Sequence, residues 1–198
     1  MEPSPIPAAL DIIMGEHQAL AAMLRSLNLM LAQARRDRLP PDFAVLRAML
    51  FYVDEFPQKR HHRQESELLF PKLLQRAPGL ADVVQELEAQ HAQGEAVVRE
   101  LEHALLAFEV MGDSRRAAFE QAAQSYTRNY LEHMALEERE VLPAARRCLQ
   151  PADWAELNAA FTANQDPLTG HPPSGEYEPL FRQILMQAPA PIGLGPAR

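Results

Sequence analysis

The sequence predicts an all-α protein, an up-down-up-down four-helix bundle followed by a short helical C-terminal arm, and three observations predict it. Only 8 glycines are set against long stretches rich in Ala, Leu, Glu, Gln and Arg, a helix-forming composition. The 17 prolines sit mostly at edges: Pro3, Pro5 and Pro7 lead in, Pro40 and Pro41 break the chain, and Pro167, Pro172, Pro173, Pro189, Pro191 and Pro196 crowd its last part. No segment alternates at period two for long enough to make a strand.

Leu10, Ile13, Met14, His17, Leu20, Leu24, Leu27 and Leu31 fall on one face of a first helix over about 8–36. Pro40-Pro41-Asp42 restarts the chain. Leu46, Leu50, Val53, Pro57, His61, Glu65 and Leu68 mark a second helix over about 42–75, with a kink expected where Pro57 lacks an N–H. Pro78-Gly79 ends it, and Leu80, Val84, Leu87, His91, Gly94, Val98, Leu101 and Leu105 carry a third helix to about 110. Gly112-Asp113-Ser114 reads as a turn offering capping residues to the fourth helix. That helix is marked by Phe119, Ala123, Tyr126, Tyr130, His133, Glu137 and Val141 and ends near Leu149. A shorter helix over about 152–163 has Trp154, Leu157 and Phe161 on its apolar side, and a last turn or two carries Leu180, Phe181, Ile184 and Leu185. The expected organisation is a bundle over 8–149 and an arm over 150–187, too short to own a core and packed on the bundle or a partner. A tail over 188–198 is expected to be mobile or draped over the surface.

Composition removes several classes of function. Nineteen Lys and Arg against 27 Asp and Glu give a formal charge of −8, which argues against a nucleic-acid partner. No apolar run reaches the ~18 residues of a membrane span. The segment Met1–Pro7 has no basic stretch followed by an apolar one, so no secretion signal is expected and a cytoplasmic location is. The single cysteine, Cys148, allows neither an internal disulfide nor a thiolate metal site.

The informative residues are polar ones on apolar stripes. Each long helix carries one histidine there, His17, His61, His91 and His133, and two of these have a glutamate one turn on, Glu65 and Glu137. The pattern is duplicated: His61-x3-Glu65-x5-Pro71 matches His133-x3-Glu137-x5-Pro143, with His17 and His91 lying 44 and 42 residues upstream. A lone histidine on an apolar face is more often a satisfied core residue than a ligand, but four in duplicated spacing invert those odds. Buried carboxylates without compensation cost several kcal/mol each, and an unsatisfied imidazole about 1–3 kcal/mol, against a net domain stability of roughly 5–15 kcal/mol. No Lys or Arg shares the stripes beside them, which leaves bound metal as the compensating charge. Imidazole and carboxylate without sulfur suit iron, manganese or zinc. Six donors could saturate one octahedral ion, but the twofold repeat favours two ions bridged by Glu65 and Glu137, and the number of donors favours iron over a four-coordinate zinc pair. Ferritin-like bundles use Glu-x-x-His, the reverse order and a shorter spacing.

The pattern His17 … His61-x3-Glu65 … His91 … His133-x3-Glu137, with Leu69-Phe70-Pro71 behind the second histidine, resembles the hemerythrin-like (HHE cation-binding) family over about residues 8–149. The resemblance implies a four-helix bundle around two non-heme iron ions (Fe–O–Fe or Fe–OH–Fe) with a coordination position open to O2, peroxide or nitric oxide. It also implies terminal ligands His17, His61, His91 and His133 and bridging Glu65 and Glu137. Oxygen-carrying members have a further histidine where this chain has Glu95 and an aspartate where it has Glu138. A fifth nitrogen is available from His62, which an ideal helix turns about 100° from His61. Glu95 is a weaker candidate, and the repeat favours Glu137 over Glu138. A carboxylate-richer set would favour ferric iron over reversible O2 carriage. Gly94 leaves room near the site or simply serves helix packing. Tyr126 and Tyr130 read as core residues with a hydrogen bond at the ring tip, His103 as solvated, and His171, in a Pro-rich loop, is assigned no role.

Two functions share this centre: binding or sensing a small diatomic or peroxide (or handling iron), and turnover, as a di-iron oxidoreductase or an iron donor for iron–sulfur cluster repair. A third reading is a metal-free interaction module whose arm docks on a partner, a homodimer being one such assembly.

Overall fold

A computed structural model of the chain describes residues 7–190 and 192–195; Met1–Ile6, Pro191 and 196–198 lie outside them, and with them the leading prolines 3 and 5. The described residues are helical, without a strand; an isolated bridge pairs Pro189 with Gly195. Six helical runs follow one another: α1 (Ala8–Asp37), α2 (43–76), α3 (Ala81–Met111), α4 (116–148), α5 (Pro151–Thr162) and α6 (Glu178–Gln187). No described helix is long and apolar enough to cross a membrane.

Helix boundaries follow local chemistry. The Asp42 side chain accepts from the Val45 N–H at 3.1 Å and starts α2. At the start of α4 the expectation fails: a short 3-10 stretch, Gly112–Arg115, leads in and the N-terminus has no side-chain cap. Asp113 instead pairs with Arg116 at 2.9 Å, and the Ser114 hydroxyl donates back to the Met111 carbonyl.

The prolines of the repeat reshape α2 and α4. In place of a simple kink at Pro57, the run Asp54–His61 winds as π-helix, and π turns recur at Glu65–Leu69 and Glu137–Val141. The Phe70 N–H reaches back to Glu65 and the Leu142 N–H to Glu137, each one residue beyond the α register. A proline ring presses on the carbonyl four residues before it; for Pro71 and Pro143 those are Glu67 and Arg139, inside the two π turns. His-x3-Glu-x5-Pro therefore encodes a widened turn that begins at its glutamate, a feature common at functional sites.

Two apolar clusters fill the interior. One holds Leu20–Leu31 of α1, Val45–Phe56 of α2, Val98–Phe108 of α3 and Phe119–Met134 of α4. The other holds Ala9–Ile13 of α1, Leu69–Leu73 of α2, Val84 and Leu87 of α3, and Val141–Ala145 of α4. The stripe histidines lie in sequence between the two sets on α1, α2 and α3, and on α4 His133 sits at the edge of the first set, beside Met134. The C-terminal helices extend both clusters: Leu157 and Phe161 of α5 join the second, Phe181 and Ile184 of α6 the first. The Asn158 side chain also accepts the Ala9 N–H at the start of α1, at 2.8 Å. Of the 188–198 segment, the described part is draped back over the chain: Leu194 donates to the Leu185 carbonyl at 2.7 Å, and Ser26 to that of Pro189 at 3.3 Å.

Candidate metal centre

Between the apolar clusters the polar stripe residues meet in one layer. The Nε2 atoms of His17 and His61 face each other at 3.3 Å, and those of His91 and His133 at 3.2 Å. Glu65 sets one oxygen 3.3 Å from His61 Nε2 and the other 3.7 Å from His91 Nε2. Glu137 does the same crosswise, at 3.3 Å from both His17 and His133. Two donor groups result that could each hold a metal ion: His17, His61, Glu65 and Glu137, and His62, Glu65, His91 and His133. Each carboxylate thus turns one oxygen toward each histidine pair, as a bridging ligand must.

The outward ring nitrogens are all occupied. His17 Nδ1 donates to Glu138 at 3.0 Å and His61 Nδ1 to Glu16 at 2.6 Å. His133 Nδ1 donates to the Gln90 side-chain oxygen at 2.7 Å, and His62 Nδ1 to that of Gln58 at 3.2 Å. Ser66 donates its proton to Glu88, so His91 Nδ1 is the donor in the 3.0 Å contact with the Ser66 oxygen. With every Nδ1 hydrogen-bonded outward, His17, His61, His91 and His133 turn Nε2 toward the layer, the arrangement metal-binding histidines adopt. All four oxygens of Glu65 and Glu137 are buried without a hydrogen-bond partner among the described residues. Facing imidazole nitrogens and buried carboxylate oxygens without a hydrogen-bond partner are what a shared cation would relieve. The residues present fit a metal.

Charge divides unevenly across the layer. Burial works against protonation of His17 and His61, but Glu137 and Glu138 around the first, and Glu65 and Glu16 around the second, outweigh it and raise both imidazoles. At His62 and His91, burial and the neighbouring imidazoles act together; His62 falls well below its usual value and His91 to about 3. Burial and the charge of Glu137 raise Glu65, whereas His133 and His17 overcome burial at Glu137 and hold it well below the carboxylate range.

The family model described as the hemerythrin HHE cation-binding domain matches residues 8–145. The chain belongs to that family. Comparison with curated proteins and with solved structures gives no match. The hemerythrin match ends before α5, so whatever α5 and the loop after it bring to the centre lies outside the matched domain.

Several sequence expectations are decided by this geometry. Glu95 is exposed and paired with Arg99, away from the layer, so the carboxylate-richer set it offered does not form. Glu138 stands outside His17 as its hydrogen-bond partner. His62 is buried and stacked on His91 at 4.0 Å between ring centres, because the π-helical stretch before it loosens the turn that an ideal helix would impose. Its Nε2 accepts from the Tyr130 hydroxyl at 2.5 Å. Gly94 makes room for Gln58, whose side-chain oxygen a Cβ there would strike, and both line an open pocket beside His62 and His133. Tyr126 accepts from the Gln58 amide, while His103 and His171 are exposed. Sequence reasoning missed Glu16, Gln58, Ser66 and Gln90. It also missed Asn164, whose amide donates to Glu16 at 3.1 Å, and the Tyr52–Asp166 hydrogen bond of 2.6 Å nearby. A signal existed for three of them: Glu16 and Gln90 immediately precede the first histidine of each half, and Ser66 immediately follows the first glutamate.

Proposed function

We propose that this hemerythrin-like chain is a non-heme di-iron protein that binds or senses a small molecule, O2, nitric oxide or peroxide, beside its metal layer. The observation that carries this reading is a pocket of about 20 Å³ against the imidazoles of His17, His61, His62 and His133, walled by apolar Leu20, Phe56 and Met134 and by polar residues that include Glu16, Arg60 and Asn164. That volume admits about one water-sized molecule, which suits a diatomic and leaves no room for a larger substrate.

Two ions are the reading that the crosswise carboxylates favour. His17 and His61 would hold one, and His91 and His133 the other, with His62 as fifth nitrogen and Glu65 and Glu137 as bridges. Nitrogen and oxygen donors without sulfur suit iron, and bound iron would supply one-electron redox chemistry and an open position for the small molecule. The chain's own part is to fix the Nδ1 protons outward, to keep bulk water from the layer with the two apolar clusters, and to hold a proton at the Tyr130 hydroxyl against His62 Nε2. His62 becomes a ligand when its Nε2 turns from that hydroxyl. An up-down-up-down bundle accounts for this convergence. It is supported by the alternating order in which α1 to α4 meet the two clusters: α1 and α3 begin in the α5-side cluster, α2 and α4 end in it.

Azide or nitric oxide added to the iron-loaded protein is expected to shift its near-ultraviolet absorption. Met134→Trp and Leu20→Phe, which fill the pocket, are expected to abolish the shift with iron content intact. An iron-loaded protein whose spectrum ignores every small ligand would overturn the proposal.

A further inference from the structure

The duplicated motif extends one residue beyond its ligands, and the two copies differ there in charge. The residue before the first histidine of each half, Glu16 or Gln90, receives the Nδ1 proton of the second histidine of the same half, His61 or His133. The residue after each glutamate, Ser66 or Glu138, receives the Nδ1 proton of the first histidine of the other half, His91 or His17. The four outer positions thus form two equivalent pairs, Glu16 with Gln90 and Glu138 with Ser66. In both pairs the carboxylate falls on the His17–His61 side. The His91–His133 side receives a neutral amide and a neutral hydroxyl, with Glu88 reached only through Ser66. The third imidazole there, His62, is backed by the neutral amide of Gln58.

A carboxylate accepting the Nδ1 proton makes an imidazole a stronger donor at Nε2, and a charge-assisted hydrogen bond is about twice as strong as a neutral one. Glu16 is also held in place: it is buried, and Asn164 donates to both of its oxygens, at 3.1 and 3.3 Å. Asn164 follows α5, beyond the matched domain, and is itself buried.

Building on the di-iron reading, we propose that the two metal positions are inequivalent, the His17–His61 position retaining the trivalent ion and the His62–His91–His133 position taking up the first electron. Glu16 and Glu138 are its positioning residues, and Asn164 brings the C-terminal arm into control of the same position through Glu16. No bond is made or broken in this step. One electron from an added reductant converts one ferric ion to ferrous, and the bridging and outer hydrogen bonds stay in place.

The test is a reductive titration of the full-length, iron-loaded protein with dithionite, followed by potentiometry and Mössbauer spectroscopy of 57Fe. Wild type is expected to give two separated one-electron steps and two distinct iron signals. Glu16→Gln is expected to weaken the ferric preference of the later-reduced iron roughly tenfold, within the range for loss of an outer partner, which is about 59 mV for one electron. The earlier step stays where it is. Gln90→Glu is expected to move the earlier step the opposite way, and Glu16→Asp to restore most of the wild-type separation. Asn164→Leu is expected to follow Glu16→Gln with a smaller shift, again in one step alone. Steps that coincide in wild type, or that move together in every variant while two irons remain bound, would overturn the inequivalence. Failure to bind two irons would instead overturn the di-iron reading beneath it.

Discussion

The helix pair α1–α2 and the helix pair α3–α4 each bring two histidines and a glutamate to the layer, α2 adding His62, yet surround them differently. His17 and His61 point at each other as His91 and His133 do, and both glutamates are fully buried at equivalent places of the repeat. Around the first pair stand Glu16, Glu138 and Asn164; around the second stand Gln90, Ser66 and, through His62, Gln58 and Tyr130. Glu138 and Glu16 help Glu137 and Glu65 to raise His17 and His61, whereas burial and the neighbouring imidazoles lower His62 and His91. Duplication fixes where donors converge, and single residues next to them set how each half behaves.

The strongest way to break this comparison is to remove what the halves share. Glu65→Ala or Glu137→Ala takes one oxygen from each side and is expected to weaken both ions beyond the ~10–100-fold typical of an outer partner. His17→Ala and His91→Ala are expected to weaken one ion each, on opposite sides. Metal competition against a chelator separates these outcomes, and selective loss in a glutamate variant would show that it is not shared.

Tyr130→Phe sharpens the comparison from the second half. It frees His62 Nε2 from a 2.5 Å hydrogen bond, and the ion on that side is expected to bind roughly tenfold tighter, about 1.4 kcal/mol. The same competition measures it; an unchanged or weaker affinity would remove His62 from the ligand set.

Asp166 belongs to the arm side of the first half. Burial raises its carboxyl to about 6, against the pull of the Tyr52 and Leu168 hydrogen bonds. Its folded value lies above its unfolded one, so the folded state binds more protons between about pH 4 and 6 and stability must fall as pH rises through that window. The loss is on the order of 1–3 kcal/mol. Chemical denaturation of the metal-free protein at pH 4.5 and 7 is expected to show this slope, and Asp166→Asn, which keeps an oxygen for Tyr52, to flatten it. An equal slope in both proteins would contradict the assignment.

Gly94→Ala carries the smallest effect. Alanine ordinarily favours a helix by up to ~1 kcal/mol over glycine, but here its methyl strikes the Gln58 side-chain amide. The melting temperature is expected to stay level or fall, with disturbance confined to the His62 side; a clear rise would show that Gln58 moves aside freely.

Much of this was legible before any coordinates. The 3.6-residue spacing of Leu20, Leu24, Leu27 and Leu31, or of Val98, Leu101 and Leu105, locates helices to within a residue or two, because burial of one face is what such spacing serves. His17, His61, His91, His133, Glu65 and Glu137 stood out as polar residues on those faces. The outer partners did not. Glu16 and Gln90 lie one step off the stripe, where a solvated residue is the ordinary reading, and only the packed layer shows that each reaches across to the other histidine of its half. Asn164 depends on where α5 ends against α1, which no local spacing reports. Pro57 was readable as a disturbance and Pro71 and Pro143 as marks of the repeat, but that the helix widens at them and admits His62 beside His61 depends on how the surrounding helices hold the turn.

The most direct test of the central claim is an anaerobic titration of the metal-free, full-length protein with Fe(II), followed by absorption and metal analysis. The crosswise carboxylates and paired imidazoles lead to a breakpoint at two irons per chain, abolished in Glu65→Ala. Saturation at one iron per chain, or no saturable binding, would contradict a two-ion centre.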